Sequence, residues 1–205
     1  MIDTIACVLK TSREYDVDYV EMLVSSIKRY GDTNVDIVCV SDNKQVEKYC
    51  DYLPLERGLD GWWNKLELFS HPGLSGRSVL YFDLDTVIRG SFSHVLQHDH
   101  TFTMLQDFMY PHRLASGVLA FSGDHSNIGS TITQEELNTY VGKNRNVGDQ
   151  AYIEDHVTPK VDKFQDLFPD TFCSYKVHKD SRRKFPVVCF HGRPRPRQVN
   201  WNVEC

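Results

Sequence analysis

The run Val79-Leu80-Tyr81-Phe82 passes without a break into Asp83-Leu84-Asp85, and that junction constrains this chain more than any other stretch. A short, continuous apolar run predicts a strand buried on both faces. If the strand continues, Asp83 and Asp85 project to the same side of the sheet, about 7 Å apart. Two such carboxylates repel unless a cation lies between them, so the pair points to a divalent metal. It also lies beyond the carboxyl end of a strand, where open α/β sheets bind ligands. Oxygen ligands with an imidazole suit Mn²⁺ or Mg²⁺, and His191 is the expected third ligand. Gly192 behind it permits close backbone approach. Arg193, Arg195 and Arg197 follow at alternate positions, and arginine forks match pyrophosphate oxygens.

Strand and helix patterns alternate around this junction. Ile2 to Leu9 and Val35 to Val40 predict buried strands, and Asp18 to Tyr30 a helix whose apolar positions Val20, Leu23, Val24 and Ile27 share one face. Asn43 to Tyr49 and Trp62 to Phe69 predict further helices. Phe102 to Leu105, Gly117 to Phe121 and Val187 to Phe190 predict strands, and Gly148 to His156 a helix start. A strand, helix and strand in succession form a parallel crossover unit. The expected class is α/β, with a central mixed, mostly parallel sheet flanked by helices.

With 205 residues, one domain with a full core is expected. Hydrophobic residues at 40% and charged residues at 25% exclude a disordered or collagen-like chain. No apolar run nears the roughly 20 residues of a membrane span. Lys176 to Arg197 carries eight Lys or Arg and one Asp, on a body otherwise acidic. That contrast suggests a local anion site, and with no nucleic-acid motif present a nucleic-acid partner is set aside. The six cysteines (Cys7, Cys39, Cys50, Cys173, Cys189 and Cys205) form no CxxC pair. They point away from a zinc knuckle and toward a reducing compartment. Nothing at Met1-Ile2-Asp3-Thr4-Ile5 marks secretion, so a cytoplasmic setting is expected.

The ordered set of strand, helix, strand, Lys-bearing aromatic helix, D-x-D, Ser116-Gly117-Val118, Gly148-Asp149-Gln150 and Phe190-His191-Gly192 resembles glycosyltransferases of the GT-A fold. It is most similar to the compact, glycogenin-like enzymes of bacteria, phages and large DNA viruses, and the likeness runs from Ile5 to Arg197. The resemblance implies one Rossmann-like GT-A domain over 1–205, and it leaves room for a longer chain around it. About 1–90 would hold the nucleotide, and 91–205 the donor sugar and acceptor. It implies a Mn²⁺- or Mg²⁺-dependent hexosyltransferase with a nucleotide-sugar donor, UDP-sugar being the expected class, and a glycan or protein hydroxyl as acceptor. In a viral setting the location would be the host cytoplasm.

Residue by residue, the resemblance sets Leu9, Thr11 and Tyr15 at the nucleotide base, with Tyr15 able to stack. Lys65 would reach a phosphate or the donor sugar, and Trp62 and Trp63 are either core or a sugar-stacking wall. Asp83 would touch ribose or metal, and Asp85 and His191 the metal. Ser116 and Gly117 would let the donor sugar lie on backbone. Gly192, Arg193 and Arg195 would face the diphosphate. Asp149 and Gln150 would hold sugar hydroxyls, with Asp149 or Asp107 as the base of an inverting transfer. The late Arg-Pro repeats depart from the longer family signature.

Two rival readings remain open from the sequence. Asp83 and Asp85 also resemble the opening motif of haloacid-dehalogenase-type phosphatases, with Asp83 as nucleophile, Lys143 as their lysine and Gly148-Asp149 with Glu154-Asp155 as their later acidic motif. Thr86 in place of the usual glycine, and the late position of the motif, count against it. The other rival is a module that binds nucleotide-sugar without turnover.

Overall fold

The computed structural model describes residues 1–31, 34–141, 148–158 and 161–201. Lys143 and Cys205 lie outside them. The chain forms a mixed α/β fold around a seven-stranded sheet. In chain order the strands are β1 (Thr4–Leu9), β2 (Asp36–Ser41), β3 (Asp51–Pro54), β4 (Val79–Phe82), β5 (Thr86–Ile88), β6 (Phe102–Gln106), β7 (Leu114–Phe121), β8 (Asp162–Lys163), β9 (Phe172–Ser174) and β10 (Val187–Cys189). The main sheet runs β3-β2-β1-β4-β7-β6-β8, and β5-β10-β9 form a second, small sheet. β7 is antiparallel to both its neighbours, whereas the other pairings of the main sheet are parallel.

Alternation along the strands explains why they read as unbroken apolar runs. Ile5, Cys7 and Leu9 of β1 and Leu80 and Phe82 of β4 enter one core. Ala6 of β1 and Val79 and Tyr81 of β4 enter the other. Both faces of the sheet are thus covered, and no alternating polar face is needed. On the first side lies α1 (Val17–Tyr30), which buries Val20, Leu23, Val24 and Ile27 at helical spacing and carries Lys28 and Arg29 in its last turn.

Some elements differ from their sequence expectation. Asn43 to Tyr49 is only a short 3₁₀ helix, Lys44–Lys48, started by the Asn43 side chain accepting from Gln45 N at 3.0 Å. Val46 is its only buried residue, so no apolar face exists to extend it. Gly61–Phe69 is also 3₁₀. The strand before the acidic pair stops at Phe82: Asp83 N donates to Gly117 O and Thr86 N to Asp83 O, both at 2.9 Å, so Asp83-Leu84-Asp85 is a turn. Val187–Cys189 pairs with β5 and β9 instead of the main sheet. Among the described residues no helix is long and apolar enough to cross a membrane.

Candidate active site

The carboxyl ends of β1, β4 and β6 and the start of β7 meet at one edge of the main sheet, around a cavity of about 820 Å³. A break in β6–β7 pairing shapes its floor. Met104 pairs with Leu119 but Leu105 with Ala115, so Ser116, Gly117 and Val118 have no partner residue on β6. Irregularities of this kind re-aim side chains beside active sites. Here Ser116 faces the cavity.

Lys65 is the hub. Its helix buries Trp63, Leu66, Leu68 and Phe69 in the core, and carries the Lys65 ammonium to the sheet edge at 6% side-chain exposure. There Nζ lies 2.6 Å from Asp149 Oδ2 and 3.0 Å from Asp83 Oδ1. It also donates to the carbonyl and hydroxyl of Ser116, each at 3.1 Å. The Ser116 hydroxyl in turn donates to Asp149 Oδ2 at 2.6 Å. Burial alone would pull the Lys65 pKa down, but the Asp149 and Asp83 carboxylates outweigh it and hold the ammonium charged. Tyr81, one turn of the pleat before Asp83, donates its hydroxyl to Asp83 Oδ1. Burial raises the Asp83 pKa, and the Lys65 charge opposes the rise.

Asp85 sits in a second arrangement. Its Oδ2 accepts from the Tyr15 hydroxyl at 3.0 Å and from Arg195 Nη1. Burial, then the nearby Asp83 charge, pushes its carboxyl up to about 7. The Arg195 guanidinium covers one face of the Tyr15 ring at 4.9 Å. Its Nε is buried and, among the described residues, has no hydrogen-bond partner. A buried donor without an acceptor is uncommon and marks a place where a ligand oxygen would fit.

Most residues expected at the site line this one cavity: Thr11, Tyr15, Lys65, Asp83, Asp85 and Asp107, and likewise Ser116, Gly117, Asp149, Gln150, His191, Gly192 and Arg195. Two do not. Leu9 is fully buried in the core beneath α1, so its side chain meets no base. Arg193 is exposed and pairs with Glu14 at 2.6 Å, while Gly192 before it and Arg195 after it line the cavity. The two tryptophans divide: Trp63 is core at 3% exposure, whereas Trp62 is 61% exposed at the cavity. Asp107 Oδ1 accepts from Met109 N and Tyr110 N, which ties its own loop. Glu154 and Asp155 do not line the cavity. Tyr81 and Glu14 were not singled out in the sequence. Only the two-residue spacing of Tyr81 from Asp83 hinted at a shared face.

His191 does not converge with the two aspartates on a ready metal cage. Its Nε2 lies 2.6 Å from the Ser174 hydroxyl, and burial, then the Lys176 charge, lowers its pKa. Among the described residues no three His, Cys, Asp or Glu side chains form a metal-binding group. The chemistry of the donors nonetheless fits a divalent cation. Asp83, Asp85 and Asp149 bring three carboxylates against the two cations Lys65 and Arg195, and an imidazole lines the same cavity.

No protein-family model matches this sequence, and no curated protein does. Solved structures do match it in shape. The glycosyltransferase GlyE of Streptococcus pneumoniae TIGR4 superposes with a TM-score of 0.70 at 13% identity, covering 100% of this chain and 61% of GlyE. The galactosyltransferase LgtC, in complex with donor and acceptor sugar analogs, matches at TM-score 0.64 and 13% identity, over 94% of this chain and 88% of LgtC. A glycosyltransferase involved in glycosylation of the major capsid of PBCV-1 matches at TM-score 0.55 and 14% identity, with 98% of both chains covered. The chain therefore has the fold of GT-A glycosyltransferases, and it spans about three fifths of the length of GlyE.

Proposed function

We propose that this chain is a glycosyltransferase that moves a hexose from a nucleotide-diphosphate sugar, UDP-sugar being the expected donor, to a hydroxyl of a glycan or protein. One observation carries the reading. Lys65, Asp83, Asp85, Asp149 and Arg195 converge in a single cavity at the carboxyl edge of a sheet shared with glycosyltransferases. Nucleotide-sugar cleavage builds negative charge on the departing diphosphate, and preorganised cations stabilise it. Arg195, with its unpartnered Nε, would meet that charge, and Lys65 lines the same cavity. The 1–90 half would hold the nucleoside against Thr11 and Tyr15, and the 91–205 half would hold the sugars.

Asp83 and Asp85 would hold Mn²⁺ or Mg²⁺, with His191 as third ligand only on leaving Ser174, and the ion would supply Lewis-acid neutralisation of the diphosphate. Asp149 fixes the Lys65 ammonium and the Ser116 hydroxyl, and with Gln150, which lines the same cavity, it would hold the sugar hydroxyls. Asp149 or Asp107 would take the acceptor proton if transfer inverts. The described cysteines are all free thiols, which suits a reducing, cytoplasmic setting.

The test is a thermal-shift screen of UDP-hexoses with and without Mn²⁺. The correct donor raises the melting temperature by mass action, and more so with the ion. Asp85→Ala lowers hexose transfer roughly 100-fold and removes the ion's contribution. Unchanged transfer and donor binding in that variant would sink the proposal.

A further inference from the structure

One group of residues is not used by the donor chemistry. Among the described residues the exposed large apolar side chains are Met1, Trp62, Met109, Tyr110, Val141 and Val177. Three of these, Trp62, Met109 and Tyr110, lie on the same cavity. Scattered exposed apolar residues need no explanation, but their concentration at the mouth of a cavity marks a ligand surface.

The surface is built and held. Gly148 takes a φ of +83°, and a Cβ there would sit 3.3 Å from the Trp62 indole nitrogen. A side chain at 148 would therefore be strained and would press on the indole, next to Asp149 in the chain. On the same cavity, Asp107 Oδ1 accepts from Met109 N at 2.7 Å and from Tyr110 N at 3.0 Å. The Arg113 guanidinium lies 5.3 Å from the Tyr110 ring centre, and His112 meets that ring edge-on. The aromatic surface is thus preformed, which keeps down the cost of ordering it on binding.

Strand order indicates what lies there. The cavity edge runs from β1, with Thr11 and Tyr15, through β4, with Asp83 and Asp85, to β7 and β6, with Ser116 and Asp107. If the donor's nucleoside and diphosphate take the β1 and β4 ends, the β6 end remains for the acceptor. We propose that Trp62, Met109 and Tyr110 form an acceptor subsite selective for carbohydrate. This rests on the transferase reading above and narrows its acceptor from glycan or protein to a sugar. A pyranose has an apolar C–H face for the exposed indole and equatorial hydroxyls for Gln150 and Asp107, which line the same cavity. An extended peptide would instead call for backbone partners along an open sheet edge. Here β6 is paired on both sides, by β7 and β8.

The experiment compares the wild-type chain with Trp62→Ala, Trp62→Phe and Tyr110→Ala, using octyl glycosides of glucose and galactose as acceptors. A serine-containing peptide is the control acceptor, with the UDP-hexose that shifts the melting temperature as donor. Trp62→Ala raises the glycoside KM about tenfold, more than it raises the donor KM, and Trp62→Phe restores most of the loss. Tyr110→Ala acts in the same direction. Without donor, octyl glycosides quench tryptophan fluorescence, and Trp62→Phe removes the quench. Donor and acceptor KM values moving together in Trp62→Ala, or equal transfer to the peptide, would overturn the subsite. So would the absence of quenching in a protein that consumes UDP-hexose. Quenching in a protein that never consumes UDP-hexose overturns the transferase reading and keeps the sugar site.

Discussion

Two regions of this molecule pair lysine or arginine with carboxylates, and they differ in burial. At the sheet edge, Lys65 and Asp149 meet almost out of reach of water, with Asp83 half-buried beside them. Along the C-terminal tail, Arg193 pairs with Glu14, and Arg197 with Asp16 and Asp18 at the start of α1, on the surface. The chemistry is the same but its worth is not. A buried charge that loses its partner is left uncompensated, whereas a surface pair loses little because water replaces it. The Lys65 cluster is therefore costly and specific, and the tail is a strap. Arg195 belongs to both, reaching Glu14 outside and Asp85 inside.

The largest expected effect is at the hub. Lys65→Met strands Asp83 and Asp149, and urea unfolding should show a loss of about 3–5 kcal/mol along with loss of donor turnover. A loss below about 1 kcal/mol would erase the distinction between the two regions.

The next effect depends on pH. The folded Asp85 carboxyl, lifted by burial and Asp83 to about 7, holds its proton more tightly than an unfolded aspartate. The folded state then binds more protons between the ordinary carboxylate range and about 7. The stability Asp85 contributes is full below that range and is lost as pH rises to about 7. Melting curves across this window should fall with pH in the wild type and be flatter in Asp85→Asn. A steeper fall in the variant would mean that Arg195 outweighs burial.

The smallest effect is at the strap. Arg197→Ala should cost under about 1 kcal/mol, fading further in high salt, with donor turnover intact. A larger loss would show that the tail organises the site as well as covering α1.

How much of this was legible in the sequence varies with range. The core strands were, as short unbroken apolar runs, and α1 was, because its apolar positions recur every three to four residues. The acidic pair and the late histidine stood out by residue type. The Val187 strand was read, but β5 and β9 beside it span three residues each, too short to stand out, so the second sheet was not legible. Nor was the burial of Leu9, since an end-of-strand residue reads the same whether α1 covers it or not. Adjacent Trp62 and Trp63 were indistinguishable until the helix was packed.

By itself the sequence determined the layered α/β class, the acidic pair after the β4 run and the set of charged residues available to the site. The tertiary structure decided their partners. Lys65 and Asp149 are far apart in the chain, as are Asp85 and Arg195, and whether two charges meet depends on how separate strands align at a sheet edge. Water weakens charge interactions along an open chain, and only packing removes the water. For that reason the pairing that makes this site exists in the fold and not in any local stretch of residues.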